Sequence, residues 1–196
     1  FLVLEGQSTS ILQLESFITN LSSRLCGLAN KASFFKKSLE NFHTKLVLPS
    51  SLTPGLEYFE SKACQLGGCE KLSFFLKEYL LLKDSYIGSH NLLRTLEELQ
   101  EALPATRKIA FLSSDPIKIH RASLSGVSLV IMQNITLNQT KLLVRSLQKK
   151  IALASFGDYK KEDLICFAAS GVDFITSSDL LNPSGWPEIK MNLEEI

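Results

Sequence analysis

The sequence predicts an α/β protein, an open and incomplete parallel barrel of about six strands that follows a long helical segment. Three observations support this fold class. Apolar residues recur at three- and four-residue steps near the start of the chain. Short apolar runs begin about 22 residues apart in the second half, and helical patterns separate them. Strands that alternate with helices in this way pair in parallel, and about six such units are too few for a closed barrel of eight.

The leading helical segment is predicted from Ser8 to Glu40, because its apolar positions form a stripe along one helix face. The stripe consists of Ile11, Leu14, Phe17, Ile18, Leu21, Leu25 and Leu28. Gly27 is expected to mark either a break in the helix or a close packing contact. A stripe of this length needs a cover, which either the rest of the domain or a second subunit provides.

Six strands follow from the apolar runs. They are predicted near residues 45–48, 79–83, 108–112, 128–132, 151–155 and 173–176. Asp115 with Pro116 is a helix start, and Gly126 and Gly171 are helix stops. In such folds the chemistry lies where each strand runs into its following helix, so we expect the site at that edge of the sheet.

The chain divides into residues 1–41, which hold a strand remnant and the leading helices, and residues 42–196, which hold the open barrel and a tail. Its 196 residues are 45% hydrophobic and 21% charged, with a formal net charge of +1. This balance gives no electrostatic case for nucleic acid or an acidic membrane surface as partner. The four cysteines fit no zinc pattern, so we predict no metal site, reduced thiols and a cytoplasmic location.

Five segments, in one order along nearly the whole chain, resemble a known enzyme family. They read "LESFITNLSSRLCGLA", "LTPGLEYFESKACQLGG", "YLLLKDSYI", "LVIMQNIT" and "LASFGDYKKEDLICFAASGVDFITSSDLL". The family is quinolinate phosphoribosyltransferase, also called carboxylating nicotinate-nucleotide pyrophosphorylase. Its members have an N-terminal α/β domain and an open α/β barrel. The resemblance implies that only the last strand of the first domain, the leading helix and the barrel are represented here.

The resemblance implies a reaction and its requirements. The family joins quinolinate to phosphoribosyl pyrophosphate in NAD biosynthesis, forms nicotinate mononucleotide and releases pyrophosphate and carbon dioxide. Arg and Lys would hold the carboxylate and phosphate groups, and carboxylates would hold Mg²⁺ and the ribose hydroxyls. The family forms dimers whose sites are shared between subunits, so the resemblance also implies a homodimer.

Most positions that the resemblance assigns to substrate binding carry uncharged residues in this chain. They are Ser16, Ser50, Ser51, Leu72, Ser73, Tyr86, Ala110, Gln133 and Phe156. The alignment also places Leu112 at an acidic position. We expect Ser16, Ser50, Leu72, Ser73, Gln133 and Phe156 to surround one cavity.

Fewer positions retain a residue that fits the family's site. The remnants of a substrate and phosphate site are Asn134, Ser155, Gly157 and Ser178. Lys83 is the residual catalytic candidate because it alone has an obvious anion-binding role, although a charged residue at a strand end is an equally good interpretation. Asp84, its sequence neighbour, and Asp179, on a later loop of the same barrel mouth, are expected to oppose it.

Three functions compete on these grounds. The first is a catalytically inactive relative that acts as a binding or scaffold protein, without cofactor and with an unknown protein partner. The alternative is an active phosphoribosyltransferase, on quinolinate or an altered substrate, which would need Mg²⁺. The third is a sensor of a sugar phosphate or nucleotide at Lys83. The tail from Asn182 to Ile196 is expected to wrap the barrel with Trp186 as its anchor, or else to bind a partner.

Overall fold

The sheet confirms the predicted fold class. The structure is a computed structural model, and it describes residues 5–49, 51–71, 79–87, 91–104, 106–147, 150–182 and 185–192. Six strands form one parallel sheet in the order β1-β6-β5-β4-β3-β2. They are β1 (Lys45–Leu46), β2 (Tyr79–Lys83), β3 (Lys108–Ser113), β4 (Leu129–Gln133), β5 (Ala152–Gly157) and β6 (Phe174–Ser177). The sheet is not closed, because β1 and β2 form its two edges; a single bridge between Val47 and Glu70 extends the β1 edge.

Seven α-helices are described, and the long ones follow the predicted pattern. They are α1 (Ser8–Ser38), α2 (Glu57–Leu66), α3 (Asp84–Ile87), α4 (Leu92–Ala102), α5 (Pro116–Ser123), α6 (Leu137–Leu147) and α7 (Lys161–Ala169), with a short 3-10 helix at Ser178–Leu181. The Asp115 carboxylate accepts a hydrogen bond from the Ile117 N–H at 2.8 Å, so it caps α5 as predicted. Gly126 and Gly171 follow α5 and α7 with φ of 74° and 97°, the left-handed conformation that stops a helix.

The two faces of the sheet have different environments. The outer face packs against the helices through large apolar side chains such as Phe111, Met132 and Ile175, all fully buried. The inner face is built around the smaller cluster of Ala110, Leu129, Ile131 and Ala154. Because side chains alternate along a strand, Lys83 and Gln133 share the inner face with Leu81 and Ile131. Lys83, Gln133 and Phe156 therefore project from the inner face, whereas Ser155 and Gly157 alternate with Phe156 and lie on the outer face.

The two halves of α1 differ sharply in burial. The helix runs through Gly27 without a break, and Leu28, Ala32 and Phe35 are buried against α2 and α7. Before Ser23 the helix has no buried residue among those described, and Leu14 and Phe17 are 53% and 62% exposed. The predicted stripe is thus covered by its own domain at one end only.

The described part of the tail lies along α1. The Ser23 hydroxyl donates a hydrogen bond to the Pro187 carbonyl at 2.6 Å, and the Arg24 guanidinium lies 6.0 Å from the centre of the Trp186 ring. Trp186 remains 49% exposed, so it contacts the helix with one side of its ring. No helix within the described residues has the length and hydropathy needed to cross a bilayer.

Candidate functional site

The predicted site residues at the ends of β4 and β5 are neighbours in the sheet. Gln133 pairs in register with Phe156, and Phe156 pairs with Thr176 on β6. Phe156 and Leu112 are both partly buried and pack against the inner cluster. Lys83, Leu112, Gln133 and Phe156 lie on the inner face at or near the carboxyl ends of β2, β3, β4 and β5. We call these four positions the carboxyl rim. Two of its four side chains are apolar and one is a neutral amide.

Lys83 supplies the cation of the carboxyl rim. Its ammonium lies 5.7 Å from the centre of the Tyr86 ring, and Tyr86 itself is 68% exposed. An ammonium over an exposed aromatic ring gains a small stabilisation and stays accessible to solvent. The arrangement allows Lys83 to meet an anion, but it also fits an ordinary charged residue at a strand end.

The carboxylates expected to oppose Lys83 each have a cationic partner of their own. Asp84 accepts hydrogen bonds from the Lys118 ammonium at 2.8 Å and the Ser113 hydroxyl at 3.1 Å. The hydrogen bond with Asp84 raises the pKa of Lys118. Asp179 lies 2.9 Å from the Lys31 ammonium. Lys118 and Lys31, both distant in sequence, thus neutralise the two carboxylates and weaken the opposition to Lys83 that the sequence predicts.

Two of the predicted remnants, Ser155 and Gly157, hold the buried ring of Tyr159. The Ser155 hydroxyl and the Tyr159 hydroxyl are 2.8 Å apart, and both residues are buried. A Cβ on Gly157 would lie 2.6 Å from the Tyr159 ring, so a larger residue does not fit there. Burial raises the pKa of Tyr159, and the Ser155 hydrogen bond only partly offsets this. Sequence reasoning missed Tyr159, whose packing gives both remnants a structural role.

Hydrogen bonds join the loops that follow β5 and β6. The Ser178 hydroxyl donates to the Asp158 carboxylate at 2.9 Å. The Ser177 hydroxyl accepts from the Tyr159 N–H at 3.0 Å and from the Asp179 N–H at 3.1 Å. The Tyr159 and Asp179 N–H groups and the Ser177 and Ser178 hydroxyls are thus engaged within the protein. Asn134, the remaining remnant, follows β4 with φ of 52° and donates its backbone N–H to the Phe156 carbonyl at 2.9 Å.

A second polar cluster joins α1 to the Thr-Pro-Gly turn, which is formed by Thr53, Pro54 and Gly55. We call Arg24, Thr53 and Glu60 the buried corner. Arg24 donates to one Glu60 oxygen from Nε at 2.8 Å and from Nη2 at 2.6 Å, and Nη2 also reaches the Thr53 hydroxyl at 3.1 Å. The Thr53 N–H and hydroxyl each donate to Glu60 at 2.8 Å. Glu60 is fully buried, and every one of these bonds lies within the chain.

The carboxylate of the buried corner is kept ionised by its partners. Burial raises the pKa of Glu60, but the hydrogen bonds from Thr53 and Arg24 outweigh that effect and leave the pKa below its ordinary value. Arg24 lies in the first quoted segment of the chain, yet sequence reasoning gave the corner no role. Its three residues come from separate elements, and only the fold brings them together.

The remaining predicted positions lie on separate elements or outside the described residues. Ser50, Leu72 and Ser73 are outside them. Ser16 and Ser51 are exposed, Ser16 on the amino-terminal half of α1 and Ser51 before the Thr-Pro-Gly turn. Ala110 is fully buried in the inner cluster. That six of the positions surround one cavity stays a prediction.

A cavity of about 600 Å³ lies at the amino-terminal ends of the strands, opposite the carboxyl rim. Its lining includes the first residues of four strands and Lys150. The lining residues are Tyr79, Lys108, Val127, Ser128, Lys150, Ile151, Ala152, Asp173 and Phe174. None of the predicted site residues is among them. Over the described ranges, no three His, Cys, Asp or Glu side chains come together as a potential metal site.

Comparisons with known proteins agree on one family. A family model described as "Quinolinate phosphoribosyl transferase, C-terminal domain" matches residues 28–192. A probable carboxylating nicotinate-nucleotide pyrophosphorylase of Synechocystis is 26% identical over 192 residues, which cover 96% of this chain and 65% of that protein. A protein of the same name from Methanothermobacter thermautotrophicus is 25% identical over 201 residues, covering 98% of this chain and 71% of that protein.

Solved structures give the same fold. The crystal structure of a nicotinate-nucleotide pyrophosphorylase from Ehrlichia chaffeensis superposes with a TM-score of 0.81 at 22% identity, over 88% of this chain and 63% of that one. The enzyme of the same name from Francisella tularensis gives a TM-score of 0.78 at 20% identity, over 89% and 62%. The chain therefore spans less than two thirds of the length of the first of these relatives and of both solved structures.

Proposed function

Since the chain belongs to the family defined by the quinolinate phosphoribosyl transferase C-terminal domain, we propose that it is a catalytically inactive member that acts as a binding or scaffold protein. The observation that carries this proposal is the carboxyl rim, where Leu112, Gln133 and Phe156 stand beside a single lysine. Carboxylate and phosphate groups are held in proteins by cations and charge-assisted hydrogen bonds. Apolar and amide side chains at these positions supply neither.

The energetics of substrate transfer support inactivity. Quinolinate and phosphoribosyl pyrophosphate together bring about six negative charges, which must leave water to react. That transfer is unfavourable unless protein cations replace the lost hydration. Loss of one charged partner of a buried ionic contact typically costs about 2–5 kcal/mol, and each 1.4 kcal/mol or so is tenfold in rate. Lys83 alone cannot offset several such losses.

The loops after β5 and β6 add a second obstacle. The resemblance puts phosphate-loop glycines at Phe156 and Ser178, and the Ser178 hydroxyl is hydrogen-bonded to the Asp158 carboxylate. A phosphate approaching Ser178 meets the negative charge of Asp158. Phe156 adds a bulky ring two residues before Asp158.

A turnover assay tests the proposal. The purified protein is incubated with quinolinate, phosphoribosyl pyrophosphate and Mg²⁺, and release of pyrophosphate and carbon dioxide is followed. We expect no turnover above the protein-free control. The proposal would be overturned if the wild type turned over and Lys83→Ala abolished the turnover. Lys62→Ala, on the exposed face of α2, is the control and should then retain it.

An active phosphoribosyltransferase is the second candidate, and one observation favours it. The Lys83 ammonium lies over the Tyr86 ring and forms no ion pair with a described carboxylate, so it is available to an anion. The donor set does not fit a Mg²⁺ ion held by the protein at the rim, since Gln133 offers a neutral amide and Asp84 is engaged with Lys118.

Calorimetric titration separates the remaining possibilities. Phosphoribosyl pyrophosphate and quinolinate are each titrated into the protein with Mg²⁺. We expect no heat of binding for an inactive scaffold. Binding without turnover would replace the scaffold by a sensor of a sugar phosphate or nucleotide, with Lys83 as its anion contact.

We also propose that the protein is a homodimer and that a second copy covers the amino-terminal half of α1. The support is the run of exposed apolar side chains there, Leu12, Leu14 and Phe17, each at least half exposed. Light scattering should give a dimer for the wild type and a monomer for Phe17→Glu. Leu66→Glu, at an exposed position on α2, should leave the dimer intact. A wild-type monomer at high concentration would contradict the proposal.

A cytoplasmic location, and the lack of nucleic-acid and membrane partners, stay predictions from composition. Cys26, Cys64, Cys69 and Cys166 carry free thiols in this structure. The net charge of +1 gives no attraction to polyanions. Binding of the protein to DNA or to anionic vesicles at physiological salt would contradict these predictions.

A further inference from the structure

The end of α2 brings two buried cysteines together. The helix stops at Leu66, and Gly68 follows with φ of 98°. The Cys69 N–H then donates to the Cys64 carbonyl at 3.0 Å, across the Gly67–Gly68 turn. A hydrogen bond of this kind folds the chain back on the last helical turn and places the side chains on either side of the turn in contact. In this chain both of those side chains carry thiols.

The two cysteines lie together in the interior. Cys64 and Cys69 are 0% and 5% exposed within the cluster that also contains Leu28 and Ala32. The interaction with Cys69 lowers the pKa of Cys64, against the effect of burial, and the same interaction raises the pKa of Cys69. The charge of Glu60 raises the pKa of Cys64, and the smaller effect of Arg24 lowers it.

We propose that Cys64 and Cys69 are a modification site at which a small-molecule disulfide, such as oxidised glutathione, forms an intramolecular disulfide. Disulfides require Cα atoms within about 7 Å and side chains that point at each other. The backbone hydrogen bond of 3.0 Å across the turn brings Cys64 and Cys69 close together, as the first requirement demands, and both side chains belong to one buried cluster.

The reaction is a pair of thiol–disulfide exchanges. Because both sulfurs are buried, oxidised glutathione reaches them when the end of α2 opens locally. The Cys64 thiolate then attacks one sulfur of oxidised glutathione, forms a mixed disulfide and releases one glutathione thiolate. Cys69 loses its proton and attacks the Cys64 sulfur, which releases the second glutathione. Two protein thiols are oxidised to one disulfide, one glutathione disulfide is reduced to two thiols, and the two protons end on the glutathiones.

The bond would fix a junction between α2 and the sheet. Residue Glu70, next to Cys69, donates its N–H to the Leu46 carbonyl at 2.8 Å and accepts from the Leu48 N–H at 3.1 Å. Cys64 lies one turn after Glu60 of the buried corner. A disulfide here would therefore tie the end of α2 to the β1 edge, and its formation does not depend on whether the protein is an enzyme.

The experiment uses the variant C26S/C166S, because Cys26 and Cys166 are exposed and their thiols would otherwise react with glutathione. The folded variant is incubated with oxidised glutathione, free thiols are counted after denaturation, and a tryptic digest is analysed by mass spectrometry. Lys62 and Lys71 flank one peptide, Ala63–Lys71, that contains both remaining cysteines.

We expect that both thiols disappear and that the peptide becomes lighter by two hydrogen atoms, with no glutathione attached. Closing this short loop should raise the thermal midpoint by about 4–8 °C, and dithiothreitol should reverse the change. Two free thiols after prolonged incubation, or a peptide that carries glutathione on each cysteine, would overturn the proposal.

The matched control is Cys69→Ser on the same C26S/C166S background. Cys64 should then remain free or carry one glutathione, without a gain in thermal midpoint. An equal gain in this control would show that glutathione stabilises the protein in another way, and would count against the disulfide. Should Cys69→Ser fail to fold, the thiol count and peptide mass of the C26S/C166S variant decide the question alone.

Discussion

The buried corner and the carboxyl rim are built in opposite ways, since the corner consists of polar side chains and two of the rim's four side chains are apolar. In the corner, Arg24 and Thr53 surround a fully buried Glu60 with hydrogen bonds of 2.6–2.8 Å. At the rim, Phe156 and Gln133 stand side by side and Lys83 reaches toward solvent. The charges of the buried corner, Arg24 and Glu60, pair with each other within the protein, whereas Lys83 is the charged residue of the carboxyl rim.

The comparison distinguishes the contacts that stabilise this fold from the charges that would bind a substrate. The charges of the corner compensate each other, so they stabilise the junction of α1 with α2 whether or not a ligand is present. Charged residues that bind a substrate have no partner within the protein until the substrate arrives. Their replacement by neutral residues therefore need not destabilise the fold. Substitutions in the two regions should therefore have very different effects on stability.

The largest effect is expected for Arg24→Met. The variant leaves Glu60 buried without its cation, and removing one partner of a buried ion pair costs about 3–5 kcal/mol of unfolding free energy. Urea denaturation at pH 7 measures the loss. Thr53→Val, which keeps the ion pair and removes one hydroxyl, should cost about 1–2 kcal/mol. Equal losses in the two variants would contradict the central role of the ion pair.

The same variant should weaken the pH dependence of stability. In the wild type the pKa of Glu60 lies below its ordinary value of 4.5, so its contribution is present above that pH and is lost as the pH falls through the folded-state pKa. Without Arg24, only the Thr53 hydrogen bonds oppose the effect of burial, so the pKa of Glu60 should be higher than in the wild type. The loss of stability that Arg24→Met causes should therefore be smaller below about pH 4.5 than at pH 7. Parallel pH profiles would show that Arg24 does not govern this carboxylate.

Gly67→Ala should have the next largest effect. A Cβ there would lie 2.3 Å from the Ala29 carbonyl oxygen and 2.5 Å from the Ala32 Cβ, so α1 and α2 must move apart. Overpacking of this kind costs about 2–3 kcal/mol, measurable by urea denaturation. Gly55→Ala is the control, since Gly55 has φ of 82° and open space around it. Its cost should be about 1 kcal/mol, from backbone strain alone. A smaller loss for Gly67→Ala than for Gly55→Ala would contradict the close approach of the helices.

The sheet could be predicted from the sequence because its strands are continuous apolar runs, as strands buried on both faces must be. All six predicted strands are present, and β2 has the predicted bounds, Tyr79–Lys83. The strand predicted at 45–48 is shorter, since regular pairing ends at Leu46 and a single bridge continues at Val47. Periodicity likewise located α1, but it could not show which part of the stripe the domain itself covers.

The polar contacts could not be predicted, because they join residues far apart in sequence. Glu60 lies 36 residues from Arg24, and Asp84 lies 34 residues from Lys118. The sequence shows that Asp84 is acidic and adjacent to Lys83, but not that another lysine neutralises it. Ser155 and Gly157 are a similar case, since their contacts with Tyr159 depend on how the chain folds back after β5.

Phe156→Ala tests whether the rim is held by packing. The Phe156 ring is partly buried against the inner cluster, so its removal should cost roughly 1–2 kcal/mol, less than the loss of a fully buried phenylalanine. Thermal denaturation measures the change. Val130→Ala, at a fully buried position on the outer face of β4, provides a comparison on the opposite side of the sheet. No loss for Phe156→Ala would mean that the ring does not contribute to the inner cluster.

Lys83→Ala should have the smallest effect of all. Its ammonium contacts the ring of Tyr86, which is 68% exposed, and such a contact contributes little in water. The unfolding free energy should stay within about 0.5 kcal/mol of the wild type, as for most surface substitutions. Heat of binding with phosphoribosyl pyrophosphate should also be unchanged, because one cation cannot replace the hydration of a pyrophosphate group. Lys62→Ala, on α2, is the matched control for removing a lysine. A loss of binding in Lys83→Ala but not in Lys62→Ala would show that the rim still holds an anion. The contrast between a buried corner whose charges pair with each other and a carboxyl rim that binds no anion would then fail.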